Sequence, residues 1–463
     1  MSIASSPLDH LDVAGLRAEL DGRVITPDDA VYDRSRAVFS GVDRRPALII
    51  QPADATEVAR VVTLARETGL PLAVRSGGHS PAGHGVCDGG IVLDLRAMRG
   101  LDIDVESRTA WAETGLTAGE YTAATSAHGL ATGLGDTTSV GIGGLTLGGG
   151  IGPLVRRYGL TIDQLLAAEV VTADGQLRRV DADNHPDLFW AIRGGGGNLG
   201  VATRLRFRLV EVDTVYGGLL VLPATADTIA DFVAAADEAP EGLTAAADIM
   251  SAPPLPFIPA EHHGDPVIIA MLCHAGPAEA GEAAVAPFRA LATPIVDLVA
   301  PTRFRDLLYP DEEEAHRIVG RTCFLDTFDR DVAARILAHL PSSTATMSSV
   351  QLRVLGGAVA RVPADATAFA HRDRRIMAFT AAIYADPGEE AEHEAWVAGT
   401  ADAVSGSRPG AYVNFLGAGE QHRMREAYPG TTWDRLVAIK TRYDPTNLFH
   451  LNHNVPPAAE ASS

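Results

Sequence analysis

The sequence predicts an α+β protein in two closely packed parts, and three observations carry that reading. At 463 residues the chain is long for a single core, so two domains are the default expectation. Residues 1–210 alternate short β-branched apolar runs with amphipathic helical stretches, whereas residues 211–410 read as Ala-rich helices separating a few strands. The second pattern predicts an antiparallel sheet backed by helices. Three glycine-rich runs, at 77–90, 141–152 and 194–200, all fall in the first part. Loops without side chains approach something other than protein side chains, and their exposed N–H groups suit a large anionic cofactor.

Residues 47–50 read as a strand of buried apolar side chains. Asp54 caps the helix that follows, which is predicted to run to about Arg66 with Glu57 near its positive end. Residues 72–74 and 91–95 are further strands, 185–192 a helix, and 201–209 a strand with period-two alternation. In the second part, 226–236, 278–292 and 389–404 are predicted helices, and 267–272, 347–354 and 377–385 strands. Residues 411–415 also read as a strand, which places Tyr412 and Asn414 on one face, as Gln351 and Arg353 share a face of the strand at 347–354. The acidic run 311–314 reads as a solvated loop, and the segment from Pro456 as a loose tail.

Composition excludes several function classes. A net charge of −21 argues against nucleic acid and against anionic membranes, since both need clustered Lys and Arg. Lys440 is the sole lysine, so no G-x-x-x-x-G-K-[ST] phosphate loop exists. Cys87, Cys273 and Cys323 form no C-x-x-C pair, so no metal site is readable, and the sparse count fits a reducing cytoplasm. The first residues lack a secretory pattern and no stretch of eighteen apolar residues occurs, so a cytoplasmic protein is expected.

Three familiar motifs fail on context. Gly195 to Gly200 fits G-x-G-x-x-G, yet a helix precedes it and a strand follows, the reverse of a dinucleotide fold. The adjacent histidines at 262–263 would point to opposite faces of a strand and read as exposed loop residues, and metal is not the role expected for the second pair, His450 and His453. Ser139 has no glycine two positions before it, so no nucleophile elbow is present. What remains is the pairing of Arg75-Ser-Gly-Gly-His79 with the run from Val140 to Gly152, in which His79 is placed to reach a cofactor.

These residues carry a resemblance. Arg75-Ser-Gly-Gly-His79-Ser80, Gly89-Gly-Ile-Val-Leu-Asp-Leu95 and Val140-Gly-Ile-Gly-Gly-Leu-Thr-Leu-Gly-Gly-Gly-Ile-Gly152 occur in order along the chain. Arg157-Tyr-Gly-Leu-Thr-Ile-Asp163, the stretch from Pro186 to Gly200, and Tyr443-Asp-Pro-Thr-Asn-Leu-Phe449 follow them. Together they resemble the berberine-bridge-enzyme-like branch of FAD-linked oxidases, within the vanillyl-alcohol-oxidase superfamily with its PCMH-type FAD-binding fold. The match covers both chain ends and is poor in the middle third.

The resemblance implies a PCMH-type FAD-binding domain built from residues 1–210 with the C-terminal segment 411–463 returning to it, and a substrate-binding domain at 211–410. It implies one covalent link, from His79 to the flavin 8α-methyl, which would raise the oxidising power of the cofactor. Arg75 and the backbone of Ser76, Gly77, Gly78, His79 and Ser80 would cradle the pyrophosphate. The second run, with Gly141, Gly143, Gly144, Gly148, Gly149 and Gly150, would line the ribityl and phosphate path. Val201 would meet adenine, Asn452 and Asn454 the ring, and His84 would be a loop residue beside the cofactor. Thr137 stands where many relatives carry a cysteine that binds FAD a second time, so that second bond is impossible here.

The implied chemistry is that of an oxidase: hydride passes from a small organic substrate (an alcohol, amine or specialised metabolite) to flavin N5, and dioxygen is reduced to hydrogen peroxide. Val140 would gate oxygen. Tyr412 would accept the substrate proton, provided neighbours such as Arg353 lower its pKa, with Asn414, Gln351 and Arg353 around it. A dehydrogenase with a non-oxygen acceptor and a flavin-bearing binding protein without turnover are the alternatives.

Overall fold

Strands covered on both faces are apolar throughout rather than alternating, and the N-terminal strands show this. In the computed structural model, which describes residues 11–310 and 317–459, β1 (Arg23–Ile25), β2 (Leu48–Gln51), β3 (Leu72–Arg75) and β4 (Ile91–Asp94) form a sheet in the order β1-β2-β4-β3. β2, β4 and β3 run parallel, and β1 joins antiparallel at the edge. The crossover from β2 to β3 is the helix Ala55–Thr68. The Asp54 carboxylate caps it by accepting from the amides of Thr56 and Glu57, and Gly69 at φ +68° ends it. Val58, Val61, Val62 and Ala65 bury its inner face on the sheet.

A second, antiparallel sheet holds β5 (Leu101–Asp104), β6 (Thr109–Glu113), β8 (Leu165–Val171), β9 (Leu177–Asp181) and β10 (Val201–Arg208) in the order β5-β6-β10-β8-β9. The short β7 (Leu130–Ala131) pairs with β11 (Val210–Glu211). The core beneath this sheet takes in Ala411, Val413, Leu416, Leu436 and Val455, so the C-terminal segment packs into the first part of the chain.

The third sheet is antiparallel throughout. It comprises β12 (Thr214–Pro223), β13 (Leu243–Ser251), β14 (Pro266–His274), β15 (Val296–Asp297), β16 (Ala300–Arg303), β17 (Arg317–Leu325), β18 (Met347–Val354) and β19 (Ile376–Tyr384). The order is β15-β12-β14-β13-β18-β19-β17, with β16 also beside β12. Alternation gives it two unlike faces. Ala247, Ile249, Leu272, Leu352 and Ala378 form one, a dry core against the helices Ala226–Glu238 and Arg330–His339. The other carries Asp248, Gln351, Arg353 and Phe379, placed together by the β13–β18 and β18–β19 registers. This polar face turns toward the second glycine run: Arg353 Nη1 donates to the carbonyl of Ile151 at 3.4 Å.

Residues 411–415 are not a strand. They are extended at Ala411 and Tyr412 and then close into a 3-10 turn, Val413–Phe415. The Tyr412 amide donates to a side chain, Thr322 Oγ1, at 3.0 Å, and Phe415 N returns to Tyr412 O at 3.0 Å, which closes the turn. The acidic run 311–314 lies outside the described residues.

Candidate active site

The loop after β3 and the second glycine run meet through their glycines. A Cβ on Gly77 would lie 2.3 Å from the amide nitrogen of Gly141, and one on Gly141 would lie 2.1 Å from that of Gly77. Ser76 Oγ ties the pair, donating to Thr114 O at 2.6 Å and accepting from Gly143 N at 3.3 Å. The third run joins through the tail: Asn452 Nδ2 donates to Gly197 O at 3.2 Å, and Asn198 Nδ2 to His453 O at 3.0 Å. His84 and His453 then meet edge to face, ring centres 4.7 Å apart, closing a ring of loops. His79 stands half-buried on its loop with its imidazole stacked on Phe39 at 4.5 Å, and Ser80 beside it is half-buried too.

Three of the expected roles change. The Arg75 guanidinium is buried, 2.9 Å from Asp94, and donates to the carbonyls of Ser35 and Ala37. Its side chain therefore anchors the loop from beneath and is not available as a pyrophosphate cradle. Gly148, Gly149 and Gly150 face protein instead of an open path: added Cβ atoms would meet Asn414, Tyr412 with Phe369, and Thr161. Gly144 and Gly197 are the open ones in these runs, exposed and with nothing within 4 Å of an added Cβ. Val201 is buried at the start of β10, beside Val171.

The third change concerns Tyr412. Its hydroxyl oxygen accepts from Gly150 N at 2.9 Å and from Asn414 Nδ2 at 3.0 Å. Asn414 Nδ2 also donates to Leu145 O at 3.0 Å. Burial pushes the phenol up to about 12, against the pull of those two hydrogen bonds and of Arg353. Tyr412 is therefore a neutral phenol at neutral pH. With both lone pairs occupied, its remaining capacity is its own O–H.

The polar face of the third sheet lies alongside. Arg353 Nη2 is 2.6 Å from Asp136, and Nε donates to Gln351 Oε1 at 2.7 Å. Burial works against the Arg353 charge, and Asp136, with Asp248 and Tyr309, together more than offset it. Gln351 Nε2 reaches both oxygens of Asp248, at 3.1 and 3.3 Å. Tyr309 completes the group: burial first, then Asp248 and Asp136, raise its pKa. The backbone pairs at the same place, Tyr309 N donating to Asp136 O at 2.7 Å and Thr138 N to Tyr309 O at 3.0 Å. Thr137 sits between, its hydroxyl on Asp136 at 3.3 Å. Val140 is half-buried against the core below, and its carbonyl accepts from Ala118 N. Asp136, Asp248 and Tyr309 were not anticipated from sequence. A lone carboxylate after Ala245, Ala246 and Ala247 in an apolar strand was the available signal for Asp248.

These residues fit a large polar cofactor. His84 Nε2, Asn452 Oδ1 and Asn454 Oδ1 are buried without a hydrogen-bond partner, where such groups are ordinarily satisfied. Burial holds His84 down to about 3 and His453 to about 4, so both rings are neutral at neutral pH. Open glycines and orphaned polar atoms around one ring of loops are what a bound group with many acceptors would complete.

Comparison with known proteins agrees. Residues 46–181 match the family described as FAD binding domain, and residues 411–456 the family described as berberine and berberine like. The chain is 31% identical over 460 residues to (R)-6-hydroxynicotine oxidase of Paenarthrobacter nicotinovorans, covering 95% of this chain and 97% of that one. It is 30% identical over 460 residues to an uncharacterized FAD-linked oxidoreductase of Bacillus subtilis, covering 95% and 98%. The crystal structure of 6-hydroxy-D-nicotine oxidase from Arthrobacter nicotinovorans superposes with a TM-score of 0.84 at 27% identity, over 95% of this chain and 98% of that one. BBE-like 1 of Physcomitrella patens shares the fold, with a TM-score of 0.84 at 21% identity over 97% and 99%. Two glycine loops locked together, a tail joining the third glycine run to His84 and a polar sheet face above are thus the frame of an FAD enzyme, and the chain belongs to the berberine-bridge-enzyme-like family of FAD-linked oxidoreductases.

Proposed function

We propose that the protein is an oxidase with FAD held covalently through His79, acting on a small organic molecule and reducing dioxygen to hydrogen peroxide. The observation that carries this is the convergence of Tyr412, Asn414 and the Asp248–Gln351–Arg353–Asp136 group on the side of the glycine loops that faces the third sheet. FAD, when bound, supplies the hydride acceptor at N5. The chain's own residues do the rest: the loops at 76–80 and 141–144 hold the cofactor, and Asn452 and Asn454 direct polar atoms to it. Tyr412 orients the reacting group through its O–H, and the sheet face binds the remainder of the substrate. Relatives include oxidases, which supports the oxygen reaction.

Acid-precipitated protein is expected to stay yellow, and His79→Ala to release its flavin into the supernatant. A colourless wild-type precipitate, or a yellow His79→Ala pellet, removes the covalent assignment. Val140, half-buried at the entrance to the second run, is the proposed oxygen gate. Val140→Leu should slow re-oxidation of the reduced enzyme by oxygen and spare its reduction by substrate. Equal re-oxidation rates by stopped flow would dismiss that role. Peroxide released with turnover distinguishes an oxidase from a dehydrogenase.

A further inference from the structure

Asp248 stands directly across from Gln351 in the β13–β18 register. Its hydrogen-bond donors are neutral: Gln351 Nε2 on both oxygens, and Ser349 Oγ at 3.3 Å. The one guanidinium of this face, Arg353, is committed to Asp136 and to Gln351 Oε1. Two carboxylates therefore share one cation, and among the described residues no Arg, Lys or His nitrogen forms an ion pair with Asp248. Enclosure by protein raises the carboxyl above its ordinary value. An enclosed carboxylate without a cation is costly, and an asparagine would meet the same neutral donors more cheaply.

Asp248 is nevertheless reachable. Its chain neighbours Ala247 and Ile249, on the helix-covered face, are wholly buried, whereas Asp248 keeps partial exposure, as do Tyr309, Gln351 and Phe415. Phe379 stands across from Gln351 in the β18–β19 register, its ring packs 4.6 Å from that of Phe415, and the Arg353 guanidinium lies 5.9 Å from the Phe415 ring, so apolar surface adjoins this group. A carboxyl without an ion-pair partner of its own, set beside aromatic rings, matches one ligand chemistry.

We propose that this face selects substrates carrying a protonated amine, with Asp248 as the counter-ion and Phe379 and Phe415 against the apolar remainder. The proposal rests on the reading above that the polar sheet face holds the substrate. The test is calorimetric titration of the anaerobic holoenzyme with benzylammonium, benzyl alcohol and phenylacetate. Benzylammonium should bind at least about tenfold more tightly than the other two, and Asp248→Asn should abolish that preference. Ser349→Ala, which keeps the carboxylate, should retain it and shows that the face tolerates substitution. Equal or tighter binding of the alcohol or carboxylate, no binding of benzylammonium, or a preference that survives Asp248→Asn overturns the proposal. Turnover answers separately: peroxide with a non-amine substrate alongside failed amine selection leaves the oxidase reading intact. Amine selection with no flavin bleaching by any substrate tried would sink the oxidase reading alone.

Discussion

At the level of single residues, the environment of Tyr412 decides what it contributes. A phenol whose oxygen already accepts from Gly150 N and Asn414 Nδ2, and whose burial lifts it to about 12, does not rest as a base. It holds one proton and one free direction in which to donate. Tyr412→Phe is therefore expected to keep its flavin and to slow flavin reduction by roughly tenfold or more. Because two buried donors lose their acceptor, the variant should also lose about 1–3 kcal/mol of stability. Rapid-mixing bleaching well below the melting temperature separates the two effects, and an unchanged reduction rate would take Tyr412 out of the chemistry. The sequence placed Tyr412 and Asn414 together for a reason that did not hold. A strand at 411–415 would have put them on one face, whereas a 3-10 turn brings Asn414 Nδ2 onto the phenol oxygen. Periodicity could not distinguish these, because Tyr412 N finds its acceptor on the distant Thr322 side chain.

At the level of elements, glycines of the first two runs serve loop against loop. Gly77 and Gly141 allow backbones from the two runs to touch, with no room for a methyl on either. Gly141→Ala must push the loops apart, with an expected cost of roughly 1–3 kcal/mol and weaker flavin retention, read by melting and by the flavin-to-protein absorbance ratio. Compared in flavin-free protein, Gly144→Ala, whose added methyl would meet no protein atom, should melt like its Gly144 parent. Equal melting of the Gly141 and Gly144 variants would refute the contact. Strands and helices were largely legible here because their patterns are local: the strand expected at 347–354 is β18, and Asp54 caps its helix as anticipated. The face those strands present was less so. Gln351 and Arg353 were readable as a pair, but Asp136, Asp248 and Tyr309 come from separate segments, and only the sheet register and the loop at 136–138 unite them.

Across the whole molecule, the C-terminal segment is fastened by one buried ion pair. Lys440 Nζ lies 2.6 Å from Asp444 and donates to Asn198 O at 2.8 Å and Phe449 O at 2.9 Å, so it binds the last described helix (Thr431–Tyr443), the third glycine run and the tail together. Asp444 accepts in return from the amides of Leu448 and Phe449. Lys440→Met strands a fully buried carboxylate, and a loss of about 3–5 kcal/mol is expected. Combining it with Asp444→Leu should recover part of that loss, and melting curves of the single and double variants provide the check. A single variant that melts with the wild type would show the pair to be dispensable.

The same pair has a consequence for handling the protein at the bench. Lys440 is the only lysine in the sequence and its side chain has no exposed surface, while burial lowers its pKa. The folded exterior therefore offers no lysine amine to succinimidyl esters, glutaraldehyde or reducing sugars, and its positive charge is carried by arginine. A succinimidyl dye that appears on Lys440 has entered only while the last helix was detached. The labelling rate at that one position would then time the opening of the C-terminal latch, with no second lysine to obscure the signal.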